Sequence, residues 1–286
     1  MIYLVIASFL WGTSFIAGKI AYNMLDPSLV VAFRYVLASI ILLPVTLSFI
    51  RQEKEDFSRK DFFMLVLLGI LTYPLTSMLQ FLGLSFTSAS SATTIIGIEP
   101  VMIAIIGFLF LKKELLPLFF LRYCCAFWSS IDSRGFSIRK CFFLRLFFSI
   151  LIYYRCFFLG STFQKILTKM SSNYYTALTI QLGTLFALPI MLFLVRNWEI
   201  HYSFEGILAL LYLVVSCSIG AGWFWNKGLE RSEVSKSGLF LALEPVFGII
   251  LAVLILGERL NFLSIIGIIL VISSAAICML LPKQES

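Results

Sequence analysis

Apolar runs of about twenty residues recur along the chain, and they constrain its fold more than any other feature. A helix that crosses the hydrocarbon of a bilayer needs ~20 mostly apolar residues. Clear runs cover residues 2–22, 28–50, 62–83, 88–110, 174–195, 204–226, 235–256 and 261–281. Two less regular runs, 118–133 and 141–160, complete a set of ten. The loops between them are too short for a soluble domain. Backbone polar groups in lipid must pair within their own segment, which makes these runs helices. The strict alternation of a transmembrane barrel is absent. The expected fold class is therefore all-α integral membrane protein, multi-pass, with about ten transmembrane helices. The first run starts at Met1 with no basic segment before it and continues to Tyr22. That is too long for a signal-peptide core, so it is expected as the first span, retained in the mature protein.

Composition agrees. Of 286 residues, 60% are hydrophobic and 13% charged, against about a quarter charged in soluble domains. The net charge of +7 follows from loop usage, because basic residues collect in cytoplasmic loops. With the N-terminus inside, twelve Lys and Arg fall on the cytoplasmic side and five outside. Both termini are then expected in the cytoplasm of a cell membrane, with membrane lipid as the surrounding partner and no nucleic acid. The six cysteines fit no zinc or haem spacing and read as small hydrophobes.

The chain also repeats itself. Gly83-Leu84 leads into Ile98-Glu99-Pro100-Val101, and Gly228-Leu229 leads into Leu243-Glu244-Pro245-Val246. Gly83, Glu99 and Pro100 each find their partner 145 residues later, as does Leu43-Pro44 in Leu188-Pro189. Glu114 and Glu258 follow the two apolar runs, 144 residues apart. Five spans per copy is an odd number, so the second copy should lie upside down relative to the first. Two inverted five-helix repeats are expected: residues 1–133 (spans one to five, the fifth degenerate) and 141–282 (spans six to ten, the sixth degenerate). Inverted repeats suit transport, since two halves can rock about a shared midplane site.

Several motifs make the resemblance specific. They are Phe9-Leu10-Trp11-Gly12-Thr13-Ser14-Phe15, Phe33-Arg34-Tyr35, the two Glu-Pro-Val motifs and Gly257-Glu258-Arg259-Leu260. With these the chain resembles the EamA family of the drug/metabolite transporter superfamily, over about residues 1–117 and 163–282. The resemblance implies ten helices in two five-helix repeats and movement of small metabolites across a cytoplasmic membrane. It does not imply a substrate.

Intramembrane polar residues are the site candidates, because each carries an insertion cost of several kcal/mol for a charge. Glu99 and Glu244 stand in their spans, each before a proline (Pro100, Pro245) that frees the carbonyl of Ile96 or Leu241. Two readings stand side by side: a hinge whose glutamate caps a neighbouring helix, or a contact for substrate or a coupling proton or ion. Arg34 either binds a carboxylate or phosphate group or pairs with a loop acid such as Asp26. Lys19 either snorkels to the interface or has a role in transport. Trp11, Gly12 and Ser14 read as close helix packing. Trp223, Trp225 and Asn226 either line a cavity or anchor the helix at the interface. Gln80 and Asn226 are interhelix hydrogen-bonders or substrate contacts. Glu114 and Glu258 read as local ion pairs or helix caps.

Residues 119–160 break the pattern. They hold six basic residues, four of the six cysteines and many phenylalanines, with Asp132 the sole acid. Either this half has diverged, or the reading frame is locally shifted over 119–160 and the copy is inactive. His201 is the only histidine and lies in a loop, which leaves no triad or histidine metal site. No Walker-type loop is present. The expectation is a secondary transporter, probable exporter class, of small metabolites such as amino acids or related compounds; it is not an enzyme and needs no cofactor. The competing expectation is a structural or regulatory membrane protein.

Overall fold

The structure, a computed structural model, describes residues 1–51, 58–86, 88–96, 170–230, 240–241, 243–258 and 265. Spans five, six and ten, Glu99, Pro100, Glu114 and the stretch 119–160 lie outside the described residues, as do the outer bounds of the two expected repeats. The described elements are helical: α1 Ile2–Ala21, α2 Pro27–Ile41, α3 Leu43–Arg51, α4 Arg59–Thr72, α5 Pro74–Ser85, α6 Ala89–Ile96, α7 Ser172–Phe193, α8 Phe204–Tyr212, a π-helical segment Leu213–Gly220, α9 Ala221–Glu230 and α10 Leu243–Leu256. Four spans are long and apolar enough to cross a membrane: Ile2–Ala21, Arg59–Ser85, Ser172–Phe193 and Phe204–Glu230. A fifth forms if α2 and α3 count as one span bent by 44°.

Local chemistry sets the ends. The Asp26 carboxylate accepts from the Ser28 backbone N–H at 2.8 Å, and Pro27 opens α2 without needing a donor. Ser58 and Asp61 form a reciprocal capping box on α4. Ser203 accepts from Gly206 N–H at the start of α8. Ser58 and Ser203 are 145 residues apart, and so are both ends of the 27-residue spans Arg59–Ser85 and Phe204–Glu230. The internal repeat thus reappears as element boundaries. Gly257 ends α10 at φ +64°, a conformation that glycine adopts without a Cβ clash.

Large apolar side chains fill the core, Phe15 and Phe81 among them, and also cover the outer face, while small polar ones are buried. Phe193 is 87% exposed and Leu254 73%, as lipid contact permits. Ser8, Thr93, Thr176 and Thr179 are buried. Their hydroxyls bond carbonyls one turn back, Thr176 to Ser172 at 2.7 Å and Thr179 to Tyr175 at 2.6 Å, which satisfies them without water.

Close glycine contacts let the helices approach. A Cβ on Gly69 would sit 2.5 Å from the Thr179 carbonyl oxygen, and one on Gly183 would strike the Gly69 carbonyl, so α4 and α7 cross almost backbone to backbone. At the α1–α10 crossing, a Cβ on Gly12 would lie 2.7 Å from the Glu244 carbonyl oxygen.

The pair formed by α2–α3 and α7 runs antiparallel. Ser28 Oγ donates to Leu194 O at one end (3.1 Å), and the rings of Phe49 and Tyr174 meet at the other (5.2 Å between centroids). Between them Gln181 takes the Thr46 hydroxyl at 2.7 Å and donates to Ser39 O at 2.9 Å. These two segments are related by the 145-residue offset.

Candidate substrate site at two broken spans

A proline inside a span removes a backbone donor and bends the helix. Pro74 does so in Arg59–Ser85 and separates α4 from α5 at Tyr73. The hydroxyl of Thr76 takes up the Leu71 carbonyl at 2.5 Å. Its neighbour across the break, Thr72 Oγ1, is sealed from solvent without a hydrogen bond. The span Phe204–Glu230 departs from regular α-helix without proline and without interruption. Residues Leu213–Gly220 form a π segment, a wide turn that often marks functional sites. Ser218 stabilises it, its hydroxyl donating to the Leu213 carbonyl five residues back at 2.9 Å. Tyr73 and Ser218 are 145 residues apart, so the proline break of one copy and the π segment of the other fall at the same place in the repeat.

Arg34 reaches this π segment from α2. It is 3% exposed. Its Nε donates to Ser218 Oγ at 2.5 Å and its Nη2 to the Cys217 carbonyl at 3.2 Å. The guanidinium carbon lies 5.3 Å from the centroids of both Tyr35 and Phe81, within cation–π range. No carboxylate among the described residues pairs with it. Asp26, the loop acid available to it by sequence, is engaged in capping α2.

Polar and aromatic contacts extend from Tyr35 around the proline break. Tyr35 OH and Ser77 Oγ are 2.5 Å apart, and the Tyr35 ring packs edge-on against Tyr73. Asn226 Nδ2 donates to Tyr73 OH at 3.3 Å and to Thr176 Oγ1 at 2.8 Å. Cys217 is buried and its thiol donates to Leu10 O at 3.1 Å. Both Arg34 and Glu244 lie within electrostatic reach of that thiol.

The remaining candidates fall as follows. Glu244 is buried, 7% exposed, in the first turn of α10, and Pro245 behind it is buried as well. The carbonyl before the turn that a neighbouring helix satisfies is that of Phe240, which accepts from Ser8 Oγ at 2.7 Å. Trp11 packs on Trp225 with centroids 5.3 Å apart. Trp225 is buried, which makes it part of the interior and not an interfacial anchor. Ser14 is buried and bonds the Trp11 carbonyl of its own helix at 2.6 Å. Gln80 is half-buried on α5 and makes none of these bonds. Arg34 and Asn226 are brought into the network, whereas Ser14 and Gln80 are not. Glu258 caps another helix, its two carboxylate oxygens accepting from Ala89 and Ser90 N–H at 2.9 Å each.

Sequence reading passed over Ser218, Cys217, Tyr73, Ser77 and Thr176. Tyr73 had a signal, since it precedes a proline inside an apolar run. Tyr35 stood in the Phe33-Arg34-Tyr35 motif. The π segment has no such mark beyond its small residues Ser216, Cys217, Ser218 and Gly220.

These features define a multi-pass helical membrane protein with a buried polar centre between irregular spans. The EamA-like transporter family model matches residues 1–131 and 146–280, and the chain belongs to that family. An uncharacterized transporter of Archaeoglobus fulgidus is 27% identical over 274 residues, 94% of this chain and 93% of that protein. One from Haemophilus influenzae is 48% identical over 99 residues, 35% of this chain; the match spans 58% of that protein's length. A Chlamydia muridarum protein named S-adenosylmethionine/S-adenosylhomocysteine transporter is 32% identical over 106 residues, 37% of this chain and 33% of that protein. A solved crystal structure covers 98% of both chains at a TM-score of 0.69 and 15% identity, which shows the fold.

Proposed function

We propose that this chain is a secondary transporter, working as an exporter, of small metabolites such as amino acids or related compounds across the cytoplasmic membrane. Two inverted five-helix halves, residues 1–133 and 141–282, would alternate about the polar centre, with both termini in the cytoplasm. The observation that carries the reading is the antiparallel packing of the repeat-related segments α2–α3 and α7. Copies related by an in-plane axis must pack this way, and copies of the same orientation need not. The proline break at Tyr73 and the π segment around Ser218, at corresponding positions of the repeat, support it further, because departures from regular helix often mark functional sites. Glu244, Pro245, Arg34, Trp11, Asn226, Ser14 and Gln80, with Glu99 and Pro100 by repeat, are the candidate lining. Glu244 is the candidate for a coupling proton or ion. Family membership and the transporter names of relatives support the class; the Chlamydia name supports a metabolite as cargo.

Counterflow in reconstituted vesicles tests the reading. Vesicles preloaded with one unlabelled amino acid or related metabolite should accumulate its labelled form, and an imposed ion gradient should drive net movement. Silence across a broad panel, with the protein correctly folded, contradicts it.

A further inference from the structure

Arg34 holds a positive charge inside the membrane without a negative partner among the described residues. A charge inside an apolar span is costly and calls for a partner. A guanidinium has five N–H donors in a planar fork. Ser218 Oγ and the Cys217 carbonyl occupy one edge, through Nε and Nη2. The guanidinium carbon lies 5.3 Å from the ring centroids of Tyr35 and Phe81. Nη1 makes no hydrogen bond among the described residues. The fork is thus held along one edge, and Nη1 is the prong left for a further partner.

We propose that Arg34 is an anion subsite of the transport path, taking a carboxylate or phosphate group of the solute on Nη1. The proposal rests on the transporter reading for its purpose, and on the guanidinium geometry for its chemistry. The bound anion supplies a counter-charge to the guanidinium. Ser218 serves as a positioning residue, because it holds Nε and is itself held by the Leu213 carbonyl of the π segment. Movement of that segment then changes the aim of the fork, which links solute binding to the shape of the span.

The test uses the full-length protein in lipid nanodiscs. Benzoate and inorganic phosphate are the anionic probes, and tetramethylammonium is the cationic control. Phenylglyoxal modification of Arg34, followed by mass spectrometry, reads the site on the unaltered chain. One of the anions should slow that modification about tenfold at saturation and raise the thermal midpoint. Which one does so distinguishes a carboxylate from a phosphate site. Arg34→Gln should abolish the midpoint shift, and Arg34→Lys should weaken it, because lysine keeps the charge but loses the fork. Equal protection by tetramethylammonium, no protection by either anion, an Arg34 that never reacts, or a full shift in a folded Arg34→Gln would each overturn the proposal. Counterflow separates the two readings. Solute movement with no anion effect at Arg34 removes the subsite and leaves the transporter. Anion protection with no counterflow does the reverse.

Discussion

Two irregular stretches sit at the same place in the repeat and depart from regular helix by different means. In Arg59–Ser85 the break is covalent: Pro74 has no N–H to give, and the Ile70 carbonyl loses its helical donor whatever the surroundings do. In Phe204–Glu230 the helix continues through a π segment. Ser218, the Leu213 carbonyl and the guanidinium of a different helix meet there. One copy thus carries a proline break and the other a π segment held by side chains. The lesson is that symmetry of position does not require symmetry of cause. The π segment is also the one that meets the buried charge.

Replacing Arg34 should separate the two regions most sharply. Arg34→Met removes a charge that pairs with no carboxylate among the described residues, so the thermal midpoint should rise. Transport should fall roughly hundredfold, corresponding to the loss of a buried charge-assisted contact. Thermal melts and counterflow on the same preparation check both, and a fall in both would contradict the account. Ser218→Ala comes next. It removes the acceptor for Nε and the donor to Leu213 O, and should cost about 1–2 kcal/mol. Amide exchange over 213–220 should quicken, while exchange over 70–77 stays unchanged.

Effects at the proline break should be smaller. Tyr73→Phe takes away a partner of Asn226, whose other bond, to Thr176, remains. A loss of about 1 kcal/mol is expected from denaturant titration. Pro74→Ala restores a backbone donor to the Ile70 carbonyl and should stabilise by about 0.5–1 kcal/mol, with slower exchange at residue 74 than at residue 218. If Pro74→Ala instead disrupted the Arg34 network, the two regions would not be independent.

Much of this arrangement was legible in the sequence. Apolar runs placed α1, α7 and the two 27-residue spans within a few residues of their ends, because length and hydropathy suffice for a helix in lipid. Pro44 and Pro189 were read only as an echo of the repeat, and Pro74 was passed over, although a proline inside an apolar run is a signal for a bend. Arg34 stood out because a charge inside an apolar run is rare. What was not legible depended on distant partners. The π segment arises from a side chain bonding five residues back and an arginine from another helix, and hydropathy records neither. Asp26 and Arg34 looked like partners by proximity in sequence, but the free N–H at the start of α2 claimed the aspartate. The cap that Glu258 supplies joins α6 to a residue about 170 positions later, a contact only folding makes.

Opposite placement of α2 and α7 is what the mechanism of two alternating halves requires above all. Single cysteines at Asn23 and Ser171, exposed residues just before each helix, can be introduced into a cysteine-free chain and treated with a membrane-impermeant maleimide. One position should label in intact cells and the other only after permeabilisation. Labelling of both from the same side would contradict the inversion.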